Sequence, residues 1–414
     1  MASILLIVNV AVSGPATTGG NQRTALLFQA LKAAHDVDVM IVGAGVAPLH
    51  REAFSGAGKV IDAIHAPPSA APAVQWARGL MPPRFGDKVA SALLPRRNAY
   101  SPDAAIARSL ASFSAEPYDL IVGRHLKPIA RAGGFDWRPC APVIIDIDDR
   151  DDLFFLSRLG RKRFNPLLDA FNLWHGRQAR RIMDEKLPQA DHLWIIAEED
   201  RNAFDHRSIS LLPNIPYALP ETAPAPQAEA KRLVFLGPPI YAPNRDGVFR
   251  FVQKCWPSIK RAEPTAELCI GGRGWERAAP AWLRQTQGVE IKGFVEDLTD
   301  FYARAAIAIA PVYDGAGTKI KVAEALAYAR PVVAAAHSAR GFAADMLADC
   351  IDSATTDRDM ATACIELLKE PTRAAQRGAS GRAYVASRYS RRRFEQIVLE
   401  DCARVLQRSA AEQN

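Results

Sequence analysis

The sequence predicts an α/β protein of two doubly wound, Rossmann-like domains with parallel sheets, and two observations support that prediction. Short apolar runs alternate with longer amphipathic stretches, which is typical of parallel strands covered by helices. The alternation stops in a proline-rich stretch at residues 214–231 and then starts again. Since 414 residues also exceed the size of one ordinary core, we expect two domains, a linker and a ligand cleft between the domains.

The expected domain bounds follow from this interruption. They are 1–213 for the N-terminal domain, 214–231 for the linker, 232–385 for the C-terminal domain and 386–414 for a final helical segment. Apolar runs predict strands at 4–8, 37–42, 120–122, 143–147 and 193–196, then at 233–236, 268–270, 289–291, 307–310 and 332–336. Helices are predicted at 24–33, 102–114, 166–183, 358–370 and 390–407.

Composition and charge exclude several classes of protein. Hydrophobic residues make up 49% of the chain, yet no apolar stretch is long enough to span a bilayer, and the first apolar run indicates a buried strand rather than a signal peptide. The six cysteines are scattered without a C-x-x-C pair, which favours a reducing cytoplasm over disulfides or a zinc site. The net charge of +7 comes with no nucleic-acid motif, so we expect an anionic substrate or membrane surface and no nucleic-acid partner.

The stretch 311–342 is the most informative part of the chain. A glycine-rich turn at 314–318 leads into a helix that carries Lys319, Lys321 and Glu324. Glycine backbone at a helix N-terminus suits a phosphate, and a carboxylate one turn into that helix can accept hydrogen bonds from hydroxyl groups. The combination predicts a ligand with phosphates at one end and a sugar close by.

Several segments in the second half, in this order and spacing, resemble a retaining glycosyltransferase of the GT-B fold. The resemblance is to glycosyltransferase family 4, in a branch with the pattern G-x-G-T-K-x-K-x-x-E, and it implies that the C-terminal helix packs back on the N-terminal domain. The first half resembles the family through Gly19 to Arg23 and through Val122 to His125. The segments of the second half are residues 235–237, 241–247, 269–272, 293–298 and 308–324.

The resemblance implies a donor site in the C-terminal domain. Glu324 is expected to bind the ribose hydroxyls of a nucleotide diphosphate sugar, and the backbone around Phe294 and Val295 to hold the base. Gly315, Gly317 and Thr318 are expected to offer backbone donors to the sugar and diphosphate. The alternative for Glu324 is a surface i, i+3 pair with Lys321.

The chain departs from the family pattern at Ala316, where a first glutamate normally contacts the donor sugar. The departure concerns sugar recognition rather than the fold. The usual cationic pair for the diphosphate is also absent, since Asn244 occupies part of that region. Four residues are candidates for the cation that neutralises the leaving diphosphate: Arg245, Arg273, Lys319 and Lys321. The alternative is that one or two of the four only face water.

In the N-terminal domain, Gly19 and Gly20 stand between the first strand and the next helix, where glycine lets backbone approach a donor phosphate or an acceptor. Arg23 is either a residue that binds phosphate or a solvated residue of the first helical turn. His125 ends an apolar run, and the resemblance implies a catalytic position near donor sugar and acceptor, with Arg124 beside it. The alternative is a structural or surface histidine.

Asp146 and Asp148 form a D-x-D triplet at the end of a predicted strand. Such a triplet binds metal in the other glycosyltransferase fold, GT-A. Because the GT-B fold generally works without metal, the favoured interpretation is a polar strand end, with Asp146 available to an acceptor.

Residues 158–183 mix basic and large apolar side chains. We expect the apolar stripe to pack on the N-terminal sheet as in an ordinary amphipathic helix, and the basic face to contact an anionic membrane.

The resulting prediction is a cytoplasmic hexosyltransferase, peripheral on the inner membrane face, that needs no cofactor or metal. It would move a sugar from a UDP- or GDP-type donor to a glycan or lipid-linked acceptor in cell-surface polysaccharide or glycolipid synthesis. Two alternatives remain: a nucleotide-sugar 2-epimerase, which needs no acceptor, and a non-catalytic nucleotide-sugar-binding protein.

Overall fold

The computed structural model describes residues 1–9, 19–43, 54–64, 100–104, 106, 117–135, 141–148, 150–157, 159, 166–216, 219–220, 222, 224, 231–314 and 320–413. The chain divides into two compact units. The N-terminal unit comprises Met1–Leu212 and Glu395–Asn414, and the C-terminal unit comprises Pro213–Phe394. Each unit contains one sheet whose paired strands are all parallel.

The sheet of the N-terminal unit has seven strands in the order β3-β2-β1-β4-β5-β6-β7. Ile4 in β1 pairs with Val37 of β2 on one side and with Leu120 of β4 on the other. Strands β2 and β3 are therefore added on one side of β1 and strands β4 to β7 on its other side, so the order of the strands changes direction between β1 and β4. The strands are β1 Ser3–Val8, β2 Asp36–Gly43, β3 Val60–Ile64, β4 Leu120–Arg124, β5 Val143–Ile147, β6 His192–Ile195 and β7 Ile209–Leu211.

Helices cover the sheet, and that cover explains the nearly continuous apolar runs of its central strands. The described helices are α1 Gly19–Lys32, α2 Leu126–Arg131, α3 Asp151–Leu156 and α4 Pro166–Lys186, followed by 3-10 turns at Leu187–Gln189 and Glu198–Ala203. The first helix begins at Gly19, five residues before its predicted start. Gly19 and Gly20 are therefore its first residues rather than a loop; glycine lowers helix propensity without preventing helix formation at a terminus. The helix predicted at 102–114 lies largely outside the described residues.

The sheet of the C-terminal unit has six strands in the order β10-β9-β8-β11-β12-β13, with the change of direction between β8 and β11. Its core combines Leu233 and Phe235 with Leu268, Ile270 and Val333 from neighbouring strands. The strands are β8 Arg232–Leu236, β9 Glu267–Gly271, β10 Val289–Gly293, β11 Ile307–Ala310, β12 Val332–Ala335 and β13 Ile351–Ala354.

The helices of this unit follow strong local signals. The Asp297 side chain accepts hydrogen bonds from two backbone amides at the start of one helix, and Thr356 with Asp359 forms a capping box at another. The helices are α5 Ala242–Lys254, α6 Trp256–Ala262, α7 Trp275–Ala278, α8 Ala281–Arg284, α9 Leu298–Ala303, α10 Ile320–Ala327, α11 Ala344–Asp349, α12 Asp357–Lys369 and α13 Pro371–Arg388.

The last helix, α14 Arg391–Gln413, joins the N-terminal unit from Glu395 onward. Trp194 Nε1 donates a hydrogen bond to Asp401 Oδ2 at 2.8 Å, and His192 Nε2 lies 3.2 Å from the same oxygen. Both aromatic residues belong to β6, so the helix is attached to the sheet of the first unit. The expected return of the C-terminal helix is confirmed, as is the α/β class with two parallel sheets.

The expected orientation of α4 is wrong. Leu167, Phe171 and Trp174 point outward, and the residues turned towards the protein include Asn172 and His175. The tight contact with α3 instead buries a neighbouring face of α4, which carries His175 and Gly176. Among the described residues, no helix is both long and apolar enough to cross a membrane.

Candidate active site

The carboxyl edge of the C-terminal sheet, where strand succession changes direction between β8 and β11, is the expected ligand position in a doubly wound sheet. Helix α5 lies directly against the end of β11. A Cβ atom at Gly247 would stand 1.9 Å from the Pro311 carbonyl oxygen, so no larger residue fits at this contact. Close packing therefore brings the N-terminal part of α5 to the switch point.

The loops that follow β8, β9 and β10 are joined by backbone hydrogen bonds at this edge. Gly237 N donates to Gly271 O at 3.0 Å, and Gly272 N donates to Gly293 O at 2.6 Å. Trp275 Nε1 adds a bond to Gly237 O at 2.8 Å. The three glycine-containing motifs singled out in the sequence thus form one connected layer.

Lys321 in the first turn of α10 reaches this layer. Its Nζ donates a hydrogen bond to Asn244 Oδ1 and lies 4.8 Å from the centre of the Phe235 ring. Asn244 Nδ2 in turn donates to Pro238 O at 3.0 Å. Because Asn244 is buried and fixed by this second bond, it holds the ammonium group at the end of β8.

Glu324, one turn further along α10, contacts a different partner. Tyr302 on α9 donates its hydroxyl to Glu324 Oε1 at 3.0 Å. Burial raises the pKa of Glu324 to about 6, although the Tyr302 hydrogen bond and the Lys321 charge act in the opposite direction. Glu324 as a whole residue is partly exposed, and a carboxylate can accept more hydrogen bonds than the one from Tyr302.

Tyr302 is itself held on two sides. Its ring stacks on Tyr328 with centroids 4.7 Å apart, and Arg330 Nε donates to its carbonyl oxygen at 2.6 Å. Burial raises the pKa of the Tyr302 hydroxyl well above its usual value, with the charge of Glu324 adding to the effect. The hydroxyl therefore acts as a hydrogen-bond donor to the carboxylate.

The other sequence candidates of this unit occupy more exposed positions. Phe294 is 54% exposed, and the Arg273 guanidinium lies 4.7 Å from its ring centre. Arg245 pairs with its neighbour Asp246 at 3.0 Å on the surface. Of the candidate cations in the described residues, Lys321 is the one fixed in the glycine layer at the switch point.

The turn Gly315, Ala316, Gly317, Thr318 and Lys319 lies outside the described residues. Its predicted backbone contacts with the donor, and the Lys319 alternative for the cation, stay predictions. The same holds for the base-binding role of Phe294 and Val295.

In the N-terminal unit, the switch point between β1 and β4 carries a buried network of ion pairs. Arg23 on α1 donates from Nη2 to Asp146 Oδ1 at 2.6 Å and from Nε to Asp146 Oδ2 at 2.8 Å. Arg124 donates to Asp148 Oδ2 at 2.7 Å and to Thr24 Oγ1 at 2.7 Å. Both arginines and Asp146 are at most 2% exposed, and Arg23 Nη2 also donates a hydrogen bond to Leu212 O at 3.0 Å. Their acceptor roles stay predictions.

His125 is the most exposed member of this group. Its Nδ1 lies 2.8 Å from Asp148 Oδ1, and its side chain is 20% exposed. Burial opposes ionisation of Asp148, but the charges of His125 and Arg124 outweigh it and hold the pKa of this carboxyl well below its usual range.

The His125 backbone has φ 67° and ψ 154°, a conformation that costs a non-glycine residue about 1–3 kcal/mol. The surrounding pairs thus hold an imidazole in a strained, defined position at the carboxyl end of β4.

Residues 230–370 match the family described as Glycosyl transferases group 1. No curated protein matches the chain by sequence. By structure the chain is similar to sucrose-phosphate synthase from Thermosynechococcus elongatus, with a TM-score of 0.64 and 15% identity over 99% of this chain and 100% of that chain.

The chain is also similar to Alr3699/HepE from Anabaena in complex with UDP and glucose, with a TM-score of 0.62 and 12% identity over 97% of this chain and 100% of that one. For a variant of S. aureus TarM in complex with fondaparinux, alpha-GlcNAc-glycerol and UDP, the TM-score is 0.61 and the identity 11%, over 98% and 100% of the two chains. The GT-B fold class is thereby confirmed. The segment that matches the family model contains the switch-point site.

Tyr302 is the part of the site that sequence reasoning missed. It lies 22 residues before Glu324, inside a short helix, and no motif spacing marks it. Only the packing of α9 against α10 brings the two side chains together.

Proposed function

We propose that this protein is a retaining, family 4-like glycosyltransferase that moves a hexose from a nucleotide diphosphate sugar to a hydroxyl of a glycan or lipid-linked acceptor, in cell-surface polysaccharide or glycolipid synthesis. The observation that carries the proposal is the pair formed by the Lys321 ammonium and the Glu324 carboxyl on one helix at the switch point. The first group suits a diphosphate, and the second suits ribose hydroxyls. The C-terminal unit would bind the donor and the N-terminal unit the acceptor.

Lys321 would act where charge develops. As the bond between the anomeric carbon and the diphosphate oxygen breaks, negative charge accumulates on the diphosphate, and a fixed cation stabilises it without having to reorganise. The acceptor oxygen forms its bond to the anomeric carbon on the same face, and its proton passes to the departing phosphate oxygen. No protein nucleophile, metal or cofactor enters this scheme, and configuration at the anomeric carbon is retained.

Glu324 would orient the donor. A carboxylate that receives two ribose hydroxyls forms charge-assisted hydrogen bonds, and Tyr302 keeps one of its oxygens in place. His125, held in its strained backbone conformation beside Asp148, is the candidate contact for the donor sugar and acceptor.

Donor binding is expected to raise the melting temperature of the protein. A ligand at 100 times its Kd stabilises the native state by about 2.7 kcal/mol, so a thermal-shift series with UDP-, GDP-, ADP- and dTDP-sugars identifies the base. UDP-sugars come first because the Anabaena and S. aureus proteins were solved with UDP.

Nucleoside monophosphates, which lack the second phosphate, are the control and should stabilise less. If none of the nucleotide sugars shifts the transition, the donor assignment is wrong. Product analysis with donor alone separates transfer from epimerisation, because an epimerase converts its donor without any acceptor.

Tyr302→Phe is expected to move the acid limit of donor binding to higher pH. The Tyr302 hydrogen bond lowers the pKa of Glu324, so its removal raises that pKa further above about 6. Since the ionised carboxyl binds the hydroxyls, donor affinity falls as the pH drops through this pKa, by about tenfold per unit below it. Donor Kd measured between pH 5 and 8 gives the shift.

Tyr328→Phe serves as the matched control, since it leaves the Tyr302 hydroxyl and its contact with Glu324 in place. Superimposable pH profiles for wild type and Tyr302→Phe would show that Tyr302 does not position Glu324.

A further inference from the structure

In the N-terminal part of α4, large apolar side chains point outward and the residues turned towards the protein include polar ones. Further along the helix, Ile182 and Met183 join the hydrophobic core. Leu167 is 83%, Phe171 36% and Trp174 44% exposed, whereas Asn172 and His175 are only 3% and 2% exposed. In its N-terminal part, α4 therefore shows the reverse of the distribution expected for a helix that only covers a sheet. The arrangement leaves a stripe of large apolar side chains in contact with solvent.

This orientation is determined by packing against α3. A Cβ atom at Gly176 would stand 2.6 Å from Leu156 side-chain carbons, so the two helices approach closely along the glycine side of α4. On the same side, the His175 ring stacks on Phe155 with centroids 5.4 Å apart. Rotation of α4 to hide the apolar stripe would lose both contacts.

The apolar stripe continues into positive charge. Leu167, Phe171 and Trp174 are spaced i, i+4 and i+7 on one helix face, and exposed Arg177 and Arg181 follow one and two turns beyond Trp174. Across residues 158–186, which end with the last residue of α4, the sequence contains eight basic and three acidic residues. The α4 surface, defined by these five residues, is therefore amphipathic along its length and cationic.

We propose that the α4 surface docks on an anionic lipid bilayer. Leucine, phenylalanine and tryptophan side chains would enter the boundary between headgroups and acyl chains, and the arginines would contact lipid phosphates. The exposed Arg177 and Arg181 at the end of the stripe select an occupant with negative charge, which a bilayer that contains anionic lipid provides. Docking is independent of the proposed function, since it involves neither Lys321 nor Glu324.

The test is sedimentation of the purified protein with vesicles of phosphatidylcholine alone or mixed with phosphatidylglycerol. Wild type is expected to bind the mixed vesicles and to lose binding between about 0.1 and 0.5 M salt, because the attraction is screened within a Debye length. Leu167→Ser and Trp174→Ala are each expected to lower the partition coefficient about three- to tenfold. Arg177→Glu combined with Arg181→Glu should remove the preference for anionic lipid.

Ile240→Ser and Trp282→Ala are the matched controls, because they remove apolar side chains exposed by 91% and 37% in the C-terminal unit. Leu167 is so exposed that its replacement should leave the melting temperature unchanged, which keeps the test valid even if Trp174→Ala unfolds. Equal vesicle binding by wild type and all α4 variants would overturn the proposal. So would a dimer, seen by light scattering, that Leu167→Ser dissociates in the absence of lipid.

Discussion

Glu324→Gln is expected to slow sugar transfer severely while leaving the ligand-free protein at least as stable as wild type. Glutamine keeps the shape of the side chain and can still accept the Tyr302 hydrogen bond. It cannot provide charge-assisted bonds to two hydroxyls, each of which contributes about 1.5–3 kcal/mol. We therefore expect kcat/KM to fall by about 100-fold or more.

The stability part of this prediction follows from the sign of the pKa shift. The folded protein binds the Glu324 proton more tightly than the unfolded chain, because burial raises the pKa from 4.5 to about 6. Ionisation therefore costs folding free energy, and the cost develops as pH rises from below 4.5 to above 6. At pH 7 this cost in the free energy of folding is about 2 kcal/mol at most, and contact of the carboxyl with solvent makes it smaller. Glutamine removes that cost.

Melting temperatures at pH 5 and 7 and steady-state transfer rates test both parts. Glu366→Gln, which changes an exposed carboxylate on α12, is the control and should alter neither quantity. Wild-type turnover in Glu324→Gln would contradict the donor assignment. A large loss of ligand-free stability would show that Glu324 acts as a structural residue.

Lys321→Ala is expected to lower kcat by about 100- to 1,000-fold, the range observed when a preorganised group is removed from a developing charge. The bond to Asn244 holds the Lys321 ammonium at the end of β8. Without this ammonium, no fixed charge there stabilises the departing diphosphate. Lys321→Arg should recover only part of the rate, because a planar guanidinium does not reproduce a compact ammonium in a fixed site.

Arg245→Ala and Arg273→Ala are the matched comparisons, because they remove the other candidate cations of the described residues from surface positions. Both variants should retain most of the activity. The activity of Asn244→Ala should lie between the activities of these two variants and that of Lys321→Ala, because the lysine is still present but is no longer held by Asn244. Full activity in Lys321→Ala with loss in Arg273→Ala would assign the diphosphate to Arg273 instead.

The central strands of both sheets could be predicted because helices cover both faces and make them continuously apolar. The strands that the sequence did not reveal are Val60–Ile64, Ile209–Leu211 and Ile351–Ala354, and each forms an edge of its sheet. Edge strands are less buried and contain polar residues such as Asp62, Ser210 and Asp352. No apolar run then marks them.

Within the site, the sequence predicted the residues that share one helix but not the partners that hold them. Lys321 and Glu324 follow from local spacing. Their partners Asn244 and Tyr302 lie 77 and 22 residues away and meet them only when α5 and α9 pack beside α10.

By itself, the sequence determined the two-sheet α/β architecture and the helix that carries a lysine and a glutamate one turn apart. Both depend on periodicity and spacing over a few residues. Only the tertiary structure decided which cation reaches the switch point, that Arg23 pairs with Asp146 across 123 residues, and that α4 presents its apolar face to solvent. Those choices depend on contacts between distant segments, which strand order and close packing select and local sequence does not encode.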